Sequence, residues 1–90
     1  MIELQAVVIG KVQGVAYRAY VQEAATNLAL VGYVKNNTDG TVFVLAQGLP
    51  DVLKEFVEYL NEGSSLAHVE SVGIDWCSVS GTHSEFSVRH

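Results

Sequence analysis

Between residues 10 and 18 the chain reads Gly-Lys-Val-Gln-Gly-Val-Ala-Tyr-Arg, and residues of these types in this order can do one kind of chemistry, the holding of an oxyanion. Gly10 and Gly14 admit backbone conformations closed to residues that carry a Cβ, and they let main-chain N–H groups come close to a ligand. An apolar strand pattern runs into the stretch and a helical pattern leaves it. Helix initiation near Arg18 leaves the first-turn N–H groups without partners and turns the positive end of the helix dipole toward the loop. Arg18 adds a permanently charged guanidinium whose planar fork matches phosphate or carboxylate oxygens. The same residues also suit an ordinary glycine turn followed by a surface arginine. The Walker lysine pattern and the three-glycine dinucleotide spacing are both missing, so an anion bound here is small.

Other chemistries find little support. Cys77 is the only cysteine and has no arginine a short loop after it, which argues for a sheet residue over a phosphatase nucleophile. It also excludes an internal disulfide, in keeping with a reducing compartment. His68, His83 and His90 are widely spaced and have no paired cysteine or carboxylate, so neither a metal site nor a cofactor is expected. The net charge of −5 argues against nucleic acid, which calls for a basic stripe. Three of the five bases, Lys11, Arg18 and Lys35, lie in the first half of the chain, whereas residues 50 to 90 carry Lys54 and Arg89 against seven acids. A locally positive pocket on an acidic body attracts a small anion and repels polyanions.

The elements that must position the loop can be read from periodicity. Ninety residues predict one domain over 1–90 with a modest core. No apolar run is long enough to span a membrane and no signal-peptide pattern opens the chain, so a cytoplasmic protein is expected. Residues 2 to 9 read as a central strand. Tyr17, Val21, Ala24, Ala25 and Leu28 recur at helical spacing and predict a helix over about 18 to 29. Strands at 31–36 and 41–47 flank the turn Asn37-Thr38-Asp39-Gly40, a strong hairpin signal.

Pro50 and Asp51 open a second helix, Val52, Leu53, Phe56, Val57 and Leu60 form its stripe, and Gly63 ends it. A fourth strand is predicted over about 66 to 79 with Val72, Ile74 and Trp76 pointing inward, and a short last strand over 85–89. Strand, helix, strand, strand, helix, strand is the order of an α+β, ferredoxin-like βαββαβ sandwich, an antiparallel sheet with two helices on one face. On that plan Phe43 and Leu45 lie on the open face, a hint of self-association in a chain otherwise expected to be a monomer.

Two stretches resemble the signatures of the acylphosphatase family. Val8 to Arg18 follow its pattern of a hydrophobic residue, one residue, then G-x-V-Q-G-V-x-[F/M]-R, except that Tyr17 stands in place of Phe or Met. Gly32-Tyr33-Val34-Lys35-Asn36, then Gly40, Val42 and Gly48, meet every position of the second. The resemblance implies the same fold and the metal-independent hydrolysis of acyl phosphates to a carboxylate and inorganic phosphate. It further implies that Arg18 binds the phosphoryl oxygens and that Asn36 orients the attacking water. Backbone N–H groups from Gln13, Gly14, Val15, Ala16 and Tyr17 would complete the cradle. The Gln13 side chain either pins the loop to the sheet or touches substrate, and Thr38 and Asp39 either brace Asn36 or simply form the turn. The chain departs from its relatives at Ala29, where glycine is usual, which implies strain if the backbone there is left-handed. The alternative is a non-catalytic ferredoxin-like binding or protein-interaction module, since the fold alone decides nothing.

Overall fold

A computed structural model describes all ninety residues. In chain order the elements are β1 (Ile2–Lys11), α1 (Tyr17–Asn27), β2 (Val31–Asn36), β3 (Val42–Gly48), α2 (Pro50–Glu62), β4 (His68–Cys77) and β5 (Phe86–Arg89). The sheet runs β4-β1-β3-β2-β5. Its first four strands are antiparallel neighbours, and β5 lies parallel to β2 at the far edge. The expected βαββαβ order is therefore present, with the short last strand making the sheet mixed. No helix is long and apolar enough to cross a membrane.

Alternation along the strands decides what each face buries. Leu4, Ala6 and Val8 of β1, Val34 of β2, and Val42, Val44 and Ala46 of β3 point to the helices and are almost fully buried. They meet Tyr17, Val21, Ala24 and Ala25 of α1 and Leu53, Phe56 and Leu60 of α2. Phe86 of β5 closes the core edge-on against Phe56, with ring centroids 6.1 Å apart.

The opposite face is covered in part, over Glu3, Leu45 and Gln47, while Val7 and Ile9 of β1 stay exposed on it. Residues 78–85 connect β4 at one edge to β5 at the other, and they pass over this face. Ser80 donates through its N–H and hydroxyl to the Glu3 carboxylate, and His83 packs on Tyr33. Beneath this segment Glu3, Leu45 and Gln47 are buried and Phe43 is half-buried. The expectation that Phe43 and Leu45 form an exposed apolar pair is thus corrected, and the hint of self-association loses its basis. Burial alone would raise the Glu3 pKa, but hydrogen bonds from Gln47, Gln5 and Ser80 outweigh it and hold the carboxyl at about 2.

Three local expectations also change. Helix α1 ends at Asn27, sooner than periodicity implied, because Ala29 turns left-handed at φ 57°. The N–H of Leu30 then reaches back to the Ala25 carbonyl at 2.9 Å, which closes the helix end. Gly10 is still inside β1, where a Cβ would collide with the His68 carbonyl oxygen of β4, so its glycine serves strand packing and not a ligand. Trp76 stays 47% exposed at the end of the edge strand, while Val72 and Ile74 pack against the core as expected.

Candidate active site

Four pieces of chain meet at one end of the sheet. The loop after β1 and the start of α1 supply Gly14, Ala16, Tyr17 and Arg18, which line a cavity of about 270 Å³ together with Val12, Ala19, Val88 and His90. A single water occupies about 30 Å³ of liquid, so the space takes a phosphoryl group and more. The N–H groups of Gly14 through Ala19 make no hydrogen bond within the protein. Helix α1 begins with no side-chain cap and no acidic residue in its first turn, so neither a capping side chain nor a first-turn carboxylate offsets its positive end.

The loop backbone is bent into a concave array. Gly14 has φ 72° and Ala16 φ 60°, and left-handed residues alternating with ordinary ones turn successive N–H groups inward, as in an anion nest. Glycine accepts such a conformation freely, whereas at Ala16 it costs on the order of 1–2 kcal/mol. The surroundings hold it there. Val12 and Val15 insert into the core. Gln13 Nε2 donates to the carbonyls of Asn37 and Thr41, both at 2.8 Å, which bolts the loop to the β2–β3 hairpin. Ser64 Oγ donates to the Val15 carbonyl at 2.9 Å from the other side. Of the two readings of the Gln13 side chain, these bonds support the pin, since both amide protons are engaged.

Tyr17 divides its parts between site and core. Its backbone opens α1 at the cavity, while its ring is buried and its hydroxyl donates to the Leu60 carbonyl at 2.7 Å. That carbonyl lies in the last turn of α2, where acceptors lack helical donors. Burial, with Tyr20 alongside, pushes the phenol pKa well above its ordinary value. The hydroxyl absent from the family pattern therefore has a structural partner.

Arg18 is held from the opposite edge. One guanidinium nitrogen donates to the Arg89 carbonyl at 2.9 Å and lies 3.4 Å from Nδ1 of His90. The remaining N–H groups stay available at a cavity that Arg18 itself lines. These contacts from the end of β5 were not legible in the sequence. The only signal for them is the parallel pairing of Val34 with Val88 and Lys35 with Arg89, which periodicity does not reveal.

Asn36 closes β2. It pairs with Val42 of β3, which pairs with Val8 of β1, so its side chain shares the helix-facing side of the sheet at the end where the loop emerges. It does not line the cavity that holds Arg18, but it adjoins Asn37, whose carbonyl receives Gln13. Its Oδ1 is the one buried side-chain polar atom in the protein with no hydrogen-bond partner. Buried acceptors are rarely left unpaired, and an exception calls for an explanation. Asp39 does not brace it. The Asp39 carboxylate takes bonds from the Thr41 N–H and hydroxyl, at 3.0 and 2.6 Å, and so forms the turn.

In chemical terms the end of the sheet presents convergent N–H donors, a guanidinium fork and a neighbouring unpaired amide oxygen. Such a set can compensate a dianionic phosphoryl group, and the amide oxygen, enclosed in this structure, is an acceptor without a donor.

Comparison with known proteins agrees with this arrangement. The acylphosphatase family model matches residues 4–88. The chain is 44% identical over 81 residues to an acylphosphatase of Thermus thermophilus, covering 90% of this chain and 92% of that one. It is 41% identical over 88 residues to an acylphosphatase of Dehalococcoides mccartyi, covering 97% of each. The crystal structure of acylphosphatase from Bacillus subtilis superimposes with a TM-score of 0.96 over all of both chains, at 36% identity. With its two signatures folded onto one end of a ferredoxin-like sheet, and with full-length likeness in sequence and structure, this chain belongs to the acylphosphatase family.

Proposed function

We propose that the protein, a single domain over residues 1–90, hydrolyses the carboxyl-phosphate bond of acyl phosphates as a cytoplasmic monomer, without metal or cofactor. The loop N–H groups from Gln13 to Tyr17 and the Arg18 guanidinium bind the phosphoryl oxygens. Asn36 accepts a hydrogen bond from water through Oδ1 and directs it at phosphorus opposite the leaving group. The water oxygen bonds to phosphorus as the bond to the acyl oxygen breaks. The carboxylate departs with the bond's electron pair, and both water protons end on phosphate. A carboxylate is a good leaving group, so no strong general acid is needed. An amide is no base, so Asn36 positions the water and the phosphoryl group takes up the proton.

The observation that carries this reading is the convergence of Arg18 with the unpaired loop N–H groups on one cavity. The unsatisfied Asn36 oxygen supports it independently. All the groups invoked come from one chain, in keeping with a monomer. The test is turnover of benzoyl phosphate by purified protein in the presence of EDTA, with inorganic phosphate as competitor. Turnover that EDTA leaves unchanged and phosphate inhibits competitively is expected. Absence of turnover, dependence on added metal or indifference to phosphate contradicts the proposal.

A further inference from the structure

Ser64 lies in neither family signature, yet its hydroxyl reaches across 49 residues of sequence to the Val15 carbonyl, at 2.9 Å. Its own position is well determined. Gly63 ends α2 at φ 77°, and the Ala67 N–H closes a turn onto the Ser64 carbonyl at 3.0 Å. Ser64 itself is half-buried beneath the loop.

The carbonyl it grips belongs to the peptide plane that joins Val15 to Ala16. In a planar trans peptide the C=O and the following N–H point in opposite directions. Holding the Val15 oxygen toward the α2–β4 linker therefore aims the Ala16 N–H the other way, on the side where Gly14, Ala16 and Arg18 line the cavity. The hold matters because Ala16 is strained, at φ 60°. A half-turn of this one plane would carry its φ to about −120°, out of the left-handed region that an L-residue adopts at a cost. The same half-turn would reverse the Ala16 N–H and put a carbonyl oxygen where an anion should bind.

We propose that Ser64 is a positioning residue that locks the Val15–Ala16 peptide in its anion-binding orientation. Through that one bond it sets the affinity of the loop for the phosphoryl group. The inference rests on the phosphate-binding role of the loop given above.

The experiment compares wild type, Ser64→Ala, Ser64→Thr and the double variant Ser64→Ala with Ala16→Gly. KM and kcat are read for benzoyl phosphate, the inhibition constant for inorganic phosphate, and the melting temperature for each protein. Loss of this half-buried hydrogen bond should raise KM and the phosphate inhibition constant together by roughly five- to tenfold, with a smaller change in kcat. Ser64→Thr should restore both. In the double variant, glycine removes the strain that drives the flip, and part of the lost affinity should return. Unchanged KM and phosphate inhibition in Ser64→Ala, whatever its melting temperature, overturns the proposal.

Backbone NMR of wild type under phosphate titration gives a second reading that needs no variant. The Ala16 N–H resonance should move with saturation, and an unmoved resonance while phosphate inhibits turnover overturns the proposal. Wild type that neither turns over benzoyl phosphate nor binds phosphate is a separate result and fails the functional reading itself.

Discussion

Replacing Ala29 with glycine should stabilise the protein, and the size of the gain can be worked from one angle. Ala29 sits at φ 57°, just beyond α1, and its methyl group is exposed, so truncation sacrifices little burial. An L-residue held left-handed costs roughly 1–2 kcal/mol that glycine does not incur. Glycine loosens the unfolded chain, which returns about 0.4–1 kcal/mol of that advantage. The net gain is about 1 kcal/mol, or about 4–8 °C in Tm for a domain of this length. Urea denaturation followed by circular dichroism measures it directly, with an upward shift in midpoint and no change in slope. Ala29→Asn, which tolerates the left-handed region better than alanine, should fall between the two, and Ala29→Val should lie below wild type. The reasoning is refuted if Ala29→Gly is no more stable than wild type, or if Ala29→Val equals it.

Two further perturbations follow from side chains outside the reacting centre. Tyr17→Phe removes the donor to the Leu60 carbonyl in the core and should destabilise by about 1–2 kcal/mol, read as a lower urea midpoint. The Glu3 carboxyl has a folded pKa of about 2, below its unfolded value, so its contribution to stability is present above about pH 4.5 and lost as pH falls toward 2. Glu3→Gln should therefore be less stable than wild type at pH 7, with a gap that narrows on acidification through this window. A gap constant from pH 6 to 2.5 would show that the ionised form is not what the Ser80 segment binds.

What could be read from the sequence divides along physical lines. The hairpin around Asp39-Gly40, both helices and the alternation of Val42 and Val44 with Phe43 and Leu45 were legible because alternation and helical spacing are local patterns. Arg18 and Asn36 were legible because they stand within two recognisable signatures. Position 29 betrayed its strain as a missing glycine. The covering of the second sheet face was not legible, since residues 78–85 have no periodicity and reveal themselves only through Ser80 on Glu3 and His83 on Tyr33. The bracing of the loop was hidden for a similar reason. Gln13 meets carbonyls 24 and 28 residues away, Arg18 meets one 71 residues away, and none of these three backbone acceptors has a side-chain identity that sequence could display.

Steady-state hydrolysis of benzoyl phosphate by wild type, Arg18→Gln and Asn36→Ala, measured side by side on folded protein, tests the central claim most directly. Removing a preorganised group aimed at transition-state charge or at the attacking water typically costs about 10²–10³ in rate. Arg18→Gln should lose at least about a hundredfold in kcat/KM along with phosphate inhibition. Asn36→Ala should lose a comparable factor in kcat while phosphate still inhibits. Turnover in either variant within a fewfold of wild type would contradict the account.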